Sequence, residues 1–175
     1  MPRYAERTLG RQLAFQFLFS LEFVDTPWEQ ALAEFWHMEP NMLAETACAA
    51  DEIPAAERPF ADKGDLRKAK RYAKKLVQGV CENREDLDMR ITASLDNWAP
   101  ERVGRTEWVI VRLALYELLY GERTPETVVI AEAVQLTNIF GDVEAPRFVN
   151  GLLDKLTATL PDAATAGDGP DKAAP

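Results

Sequence analysis

Hydrophobic residues recur with helical spacing along most of this chain. Arg7 to Val24 is rich in Leu and Phe, without Pro and, after Gly10, without Gly; it predicts a long, mostly buried helix. Asp25-Thr26-Pro27 ends that helix and starts the next, with Pro27 in a first-turn position. Pro27–Met38 then predicts a short amphipathic helix with Trp28, Leu32 and Phe35 on one side. From Glu39 to Asp62 the pattern fades. Pro40, Pro54 and Pro59 interrupt Ala- and Glu-rich sequence, which predicts an inserted loop with room for a short helix near Asn41–Ala50.

Periodicity returns at Gly64, where Leu66, Ala69, Ala73, Leu76, Val77 and Val80 form one face. Asn83 is a candidate cap for a helix holding Leu87, Ile91 and Leu95, with Pro100 just past its end. Thr106 is a candidate cap for the next, which is expected to bury Val109, Leu113, Tyr116 and Tyr120. Thr124-Pro125-Glu126 combines a cap, a first-turn proline and an acid near the positive helix end. That helix is expected to stop at Phe140-Gly141. Pro146 opens the last one, with Val149, Leu152, Leu153, Leu156 and Leu160 facing inward. Alternating strand patterns are missing, so the fold class is all-α.

Composition changes this picture little. A chain of 175 residues that is 47% apolar can bury one real core. The expected organisation is a single domain over residues 1–161 and a disordered Ala-, Gly-, Pro- and Asp-rich tail over 162–175. Cys48 and Cys81 lack CxxC spacing and read as buried or incidental thiols, a disulfide being the minor alternative. A single histidine, His37, argues against a His-based metal site or catalytic triad. The start of the chain carries no apolar signal core, and no run approaches the ~18–20 apolar residues of a membrane span. A cytoplasmic protein without membrane attachment is expected.

The charge matters through its distribution. The net charge of −9 would argue against nucleic acid. Yet residues 25–62 hold nine acids against Arg58 alone, whereas residues 63–161 balance 15 basic against 15 acidic residues. Local basic patches can therefore persist outside the acidic segment.

Several residues carry candidate chemistry. Arg3, Arg7 and Arg11 recur every four residues and share one stripe if the first helix reaches that far. Guanidinium groups pair with phosphates and stack on bases, so the stripe could meet single-stranded RNA; it could equally be a solvated face. Phe15 and Phe19 lie close around the helix as stacking surfaces or as core. Lys63, Arg67, Lys68, Lys70, Arg71, Lys74 and Lys75 form a second basic feature, in which Lys63, Arg67, Lys70 and Lys74 make a stripe opposite an apolar face, either solvated or extending an RNA path. Arg147, Phe148 and Asn150 open the last helix, whose free N–H groups and positive end can receive a phosphate. Phe148 could stack on a base there or fill core, and Asn150-Gly151 could serve binding or close helix packing. Glu101 and Glu107 are acids near a helix start, where Glu107 also suits the dipole.

The most informative stretch is Arg102–Lys155, and the order of its motifs extends across the chain. Ala14-Phe-Gln-Phe-Leu-Phe-Ser20 is followed by Tyr72-Ala-Lys-Lys-Leu-Val-Gln-Gly-Val80 and Leu95-Asp-Asn-Trp98. Then come Val111-Arg-Leu-Ala-Leu-Tyr-Glu-Leu118, Ile130-Ala-Glu-Ala-Val134, Phe140-Gly141 and Arg147-Phe-Val-Asn-Gly-Leu-Leu-Asp154. This ordered set resembles the NusB family of bacterial transcription antitermination factors, from about Arg7 to Leu156 without the 39–62 region. A related group, the NusB-like N-terminal domain of some ribosomal-RNA cytosine methyltransferases, is expected to differ by its large methyltransferase domain.

The resemblance implies a helical bundle of two three-helix subdomains, with a seventh helix in some descriptions. It implies binding of boxA RNA jointly with the small-subunit ribosomal protein that acts as NusE, assembly on RNA polymerase, and support of ribosomal-RNA synthesis. No catalysis and no cofactor are implied; a homodimer remains open. RNA contacts are implied for Arg3, Arg7 and Arg11, with Phe19, Lys70, Lys74, Arg147 and Phe148 as further candidates. Glu101 and Glu107 align with acids that face the basic protein partner. The family pattern often has several adjacent arginines, whereas Thr8, Leu9 and Gly10 separate Arg7 from Arg11 here, and Phe19 stands where Tyr is frequent. A lower RNA affinity from this helix follows. The alternative reading is a helical protein–protein adaptor with little sequence-specific RNA binding.

Overall fold

A computed structural model describes residues 5–36, 63–95, 99–121 and 124–160. Among these residues there are seven α-helices and no strand. They are α1 (Ala5–Ser20), α2 (Trp28–Phe35), α3 (Lys63–Glu82), α4 (Arg84–Ala93), α5 (Arg105–Tyr120), α6 (Glu126–Phe140) and α7 (Ala145–Thr157). Short 3₁₀ turns cover Leu21–Phe23 and Pro100–Arg102. The all-α expectation holds. The 39–62 insert, the 162–175 tail, Arg3, His37, Cys48 and Trp98 lie outside the described residues. None of the described helices is long and apolar enough to cross a membrane.

The apolar faces read from the sequence are the ones buried. Leu9, Leu13 and Phe17 of α1 meet the Ala69, Ala73, Leu76 and Val77 face of α3 in the most extensive helix pair. Small residues allow that closeness: a β-carbon on Gly10 would lie 2.7 Å from Tyr72 Cδ1 and 3.0 Å from the Ala69 carbonyl oxygen. α2 closes this first group through Leu32 and Phe35, the latter ring edge-on to Phe17 at 5.2 Å. The second group is α5, α6 and α7, in which Val149, Leu152, Leu153 and Leu156 of α7 are buried. α5 packs on both groups and on α4, and Val109, Ile110, Val111, Leu113 and Leu115 make it the central rod of the core.

Helix ends depart from the expected local chemistry. α1 ends at Ser20, and the chain continues to Phe23 as a 3₁₀ turn rather than as helix to Val24. The three proposed caps do not cap. Asn83 donates its side-chain Nδ2 to the Gly79 carbonyl at 2.8 Å, closing α3 instead of opening α4. α5 starts one residue before Thr106, after Gly104. Thr124 accepts from Arg7 rather than capping α6. The cap that does form was not foreseen: Asp142 Oδ1 accepts from the Glu144 and Ala145 backbone N–H groups, both at 3.0 Å, ahead of α7. Gly141 does end α6 as expected, donating to the Thr137 carbonyl. Tyr116 is half-buried and Tyr120 is exposed, so the inward face of α5 stops one turn earlier than its pattern implied.

Candidate nucleic-acid interface

Two polar centres, one buried and one part-buried, organise the charged residues. The first lies where α1, α3, α5 and α6 meet. Arg11, only 3% exposed, makes a two-pronged ion pair with Glu117, itself 2% exposed. Nε donates to Oε2 at 2.8 Å and Nη2 to Oε1. Nη1 lies 3.4 Å from Glu132 Oε2, and Glu132 Oε1 accepts from the Thr8 hydroxyl at 2.8 Å. The Tyr72 hydroxyl donates to Glu117 Oε1 at 2.6 Å. Burial alone would raise the Glu117 pKa, but the Arg11 hydrogen bonds and charge, with the Tyr72 and Thr124 hydroxyls, hold it below the ordinary carboxylate value. Burial would lower the pKa of Arg11; Glu117 outweighs that and keeps it raised. Tyr72 is pushed up, first by burial and then by Glu117, against the opposing charge of Arg11.

This geometry corrects the expectation for Arg11. Its guanidinium nitrogens are committed to Glu117, Glu132 and Tyr72 inside the core, so it has no face to offer a phosphate. Arg11 leaves the surface stripe because α3 lies over α1 at its level, and Arg3 lies outside the described residues. Arg7, one turn toward the N-terminus, is half-buried: Nη1 donates to Thr124 Oγ1 at 3.3 Å, and its guanidinium lies 5.4 Å from the Tyr72 ring centre.

Arg7 stands at a cleft of about 390 Å³ between α1, α3 and the C-terminal end of α5. Lys68, Arg71 and Lys75 of α3 line it, with Tyr72, Tyr116 and Tyr120 as its aromatic surface. These lysines and Arg71 belong to the basic feature singled out from the sequence and flank its i, i+4, i+7, i+11 stripe. Of that stripe, Lys74 is exposed, whereas Lys70 turns the other way and lies 5.5 Å from the Trp36 ring centre. The i, i+3, i+7 spacing of Lys68, Arg71 and Lys75 around Tyr72 was readable, but only the position of Arg7 shows that this edge is the concave one.

The other candidates lie elsewhere. Arg147 is exposed in the first turn of α7, and Phe148 is half-buried against the core. Asn150 donates to Asp154 Oδ2 at 2.9 Å along the helix surface. A β-carbon on Gly151 would meet nothing within 4 Å, so that glycine serves no close packing. Phe19 stacks on Phe15 at 5.6 Å and meets Phe23 edge-on at 5.1 Å. Twelve residues separate Phe19 from Arg7, about 18 Å along the helix, so it is no part of the cleft. Phe15 is core, packed on Phe140 at 4.6 Å. Glu101 is exposed on its 3₁₀ turn. Glu107 folds back over the start of α5, where its Oε2 would lie 2.0 Å from a β-carbon on Gly104.

The second polar centre had no sequence signal. Arg112 is buried in α5; its Nη2 donates to Asp88 Oδ2 at 2.9 Å and its Nη1 to Glu22 Oε1 at 2.8 Å. Trp108 Nε1 donates to Asp88 Oδ1 at 2.8 Å, and Arg84 reaches Glu22 from the outside. The network ties the 3₁₀ turn after α1 to α4 and α5. Exposed Phe23 lies beside it with the Arg105 guanidinium 5.0 Å from its ring centre.

The seven described helices, with α5 as their central rod and charged and aromatic surfaces toward its two ends, make up an all-α protein built for binding. The NusB family model matches residues 8–158, and the chain belongs to that family. A Geobacter sulfurreducens protein named transcription antitermination protein NusB is 36% identical over 156 residues, covering 89% of this chain and 96% of that protein. A namesake from Oleidesulfovibrio alaskensis is 34% identical, covering 89% and 90%. Among solved structures, NusB of T. maritima matches with a TM-score of 0.63 at 28% identity, over 91% of this chain and 94% of that one. A complex of antitermination factors NusB and NusE with double-stranded RNA shares the fold, with a TM-score of 0.64 at 24% identity over 91% of this chain and 100% of that one.

Proposed function

We propose that this chain is a transcription antitermination factor. It binds boxA RNA together with a NusE-type ribosomal protein and assists RNA polymerase in ribosomal-RNA transcription. The observation that carries this reading is family membership over residues 8–158, with relatives named for antitermination along nearly their whole length. The role is non-catalytic and cytoplasmic. Arg7, Lys74, Arg147 and Phe148 meet the RNA, the first three through phosphates and Phe148 through a base. Arg147 suits this because its guanidinium is exposed in the first turn of α7. Glu101 and Glu107 face the basic protein partner.

Burial of Arg11 favours one second reading, a helical protein–protein adaptor with little sequence-specific RNA binding, because it removes a cation from the expected stripe. A fluorescence titration of boxA RNA and of a scrambled RNA, each with and without the partner, separates the two. The antitermination reading predicts preference for boxA, tighter binding with the partner, and weaker binding for Arg7→Ala and Arg147→Ala. An adaptor predicts partner binding with an RNA response indifferent to sequence.

A further inference from the structure

The cleft beside Arg7 is more than a basic patch, because its cations and aromatic rings converge on one volume. Lys68, Arg71 and Lys75 approach from α3 and Arg7 from α1. Among the described lining residues the acids are Glu6 and Glu117. Glu117 is already matched by Arg11 beneath the floor. From α5, Tyr116 and Tyr120 line the same cleft, 5.3 Å apart with their planes 36° from parallel. Tyr120 is 47% exposed and is the ring that a planar group can cover. Tyr72 is less available, since the Arg7 and Arg11 guanidinium groups lie 5.4 and 5.6 Å from its ring centre and its hydroxyl is held by Glu117. A volume of about 390 Å³ falls in the roughly 300–1,000 Å³ range of sites that enclose small organic groups.

We propose that this cleft receives one unstacked nucleotide of a bound single strand of RNA. Its base lies on Tyr120 and its phosphate is held by Arg71 and the neighbouring lysines. Stacking on an aromatic ring combined with phosphate pairing is how single strands are held without a base-pairing partner. A free mononucleotide offers the same chemistry. A strand is the better fit because Arg67 and Lys74 are exposed on the same helix outside the cleft, where the next phosphates of a chain would pass. The cleft nucleotide rests on the RNA-binding role proposed above and adds a place and a residue to it. Tyr120 appears in neither the stripe of arginines nor the last-helix motif, so its variants report on the cleft alone.

The test uses the full chain and a short single-stranded boxA RNA carrying 2-aminopurine at successive positions. The variants are Tyr120→Ala, Tyr120→Phe and Arg71→Ala, with uridine monophosphate as competitor. Both residues are exposed, so thermal melting is expected to match the unsubstituted protein. One 2-aminopurine position is predicted to be quenched on binding, with the quenching lost in Tyr120→Ala and kept in Tyr120→Phe. Affinity should fall about 5- to 150-fold in Tyr120→Ala, the range that one stacked base contributes. Arg71→Ala should weaken binding and lower the salt slope by about one. RNA binding of undiminished strength and unchanged quenching in both Tyr120→Ala and Arg71→Ala overturns the cleft while leaving the RNA-binding role intact. Loss of all RNA binding by the unsubstituted chain overturns that role and the cleft with it. Uridine monophosphate binding as tightly as the strand overturns the choice of a strand as occupant.

Discussion

Replacing Glu117 by glutamine keeps the side-chain shape and removes one charge from the pair with Arg11. The side chains of that pair are 4% and 2% exposed, so water cannot take over the lost interaction. Breaking a buried pair by removing one partner costs about 3–5 kcal/mol, because the remaining charge is stranded. Here Glu132 remains 3.4 Å from Arg11 Nη1 and offsets part of the loss, which places the expected cost near the lower figure. For a domain of this size about 3 kcal/mol lowers the melting temperature by roughly 6–12 °C. Urea unfolding and thermal melting both measure it. The double variant Arg11→Met with Glu117→Leu should recover part of the loss, since no charge of the pair is then stranded, while the Tyr72 hydroxyl and Glu132 lose those partners. As a reference, Asp86→Asn breaks the exposed Arg90 pair and should change stability by less than about 1 kcal/mol. A Glu117→Gln protein within about 1 kcal/mol of the parent would refute the reasoning that Arg11 is a structural rather than a surface cation.

Other consequences can be checked alongside. The Glu117 pKa lies below its unfolded value of about 4.3, so its contribution is fully present above that pH and disappears as pH falls through the lower folded value; acid unfolding should show a shallower limb below about pH 4 in Glu117→Gln. Gly79→Ala should destabilise by about 1–3 kcal/mol in urea, because its β-carbon would lie 1.9 Å from Tyr116 Cζ. Gly151→Ala should stabilise by about 0.5–1 kcal/mol in the same assay, since its β-carbon enters open space within a helix. Burial pushes the Cys81 thiol up to about 11, so in a Cys48→Ser protein Cys81 should react slowly with a disulfide reagent at pH 8 and rapidly once urea is added.

The core was legible because apolar spacing is a local signal that tertiary packing rarely overrules. Leu76 and Val80 of α3, Leu87 and Ile91 of α4, and Val149 and Leu153 of α7 are buried as their periodicity predicts. Helix ends were less legible, since a polar side chain at a boundary can answer to a distant helix. Thr124 has the right sequence for a cap yet accepts from Arg7, which is 117 residues away. The same limit applies to the candidate site. Arg7 and Arg11 share a helical stripe, but only the crossing of α3 decides that one reaches the cleft mouth and the other enters the core. Arg112, Asp88 and Glu22 carry no joint signal, because their pairing exists only once α1, α4 and α5 meet. Tyr120 looked like core by continuing the face of Val109, Leu113 and Tyr116, and it emerges as surface because α5 outruns its neighbours there.

The most direct test of the antitermination role is reconstituted transcription through a terminator placed downstream of boxA, with RNA polymerase, the NusE-type protein and the remaining elongation factors, with and without this chain. More read-through is expected when the chain is added, and no gain when the boxA sequence is scrambled. Read-through that is unchanged by the chain, or raised equally on the scrambled template, contradicts it.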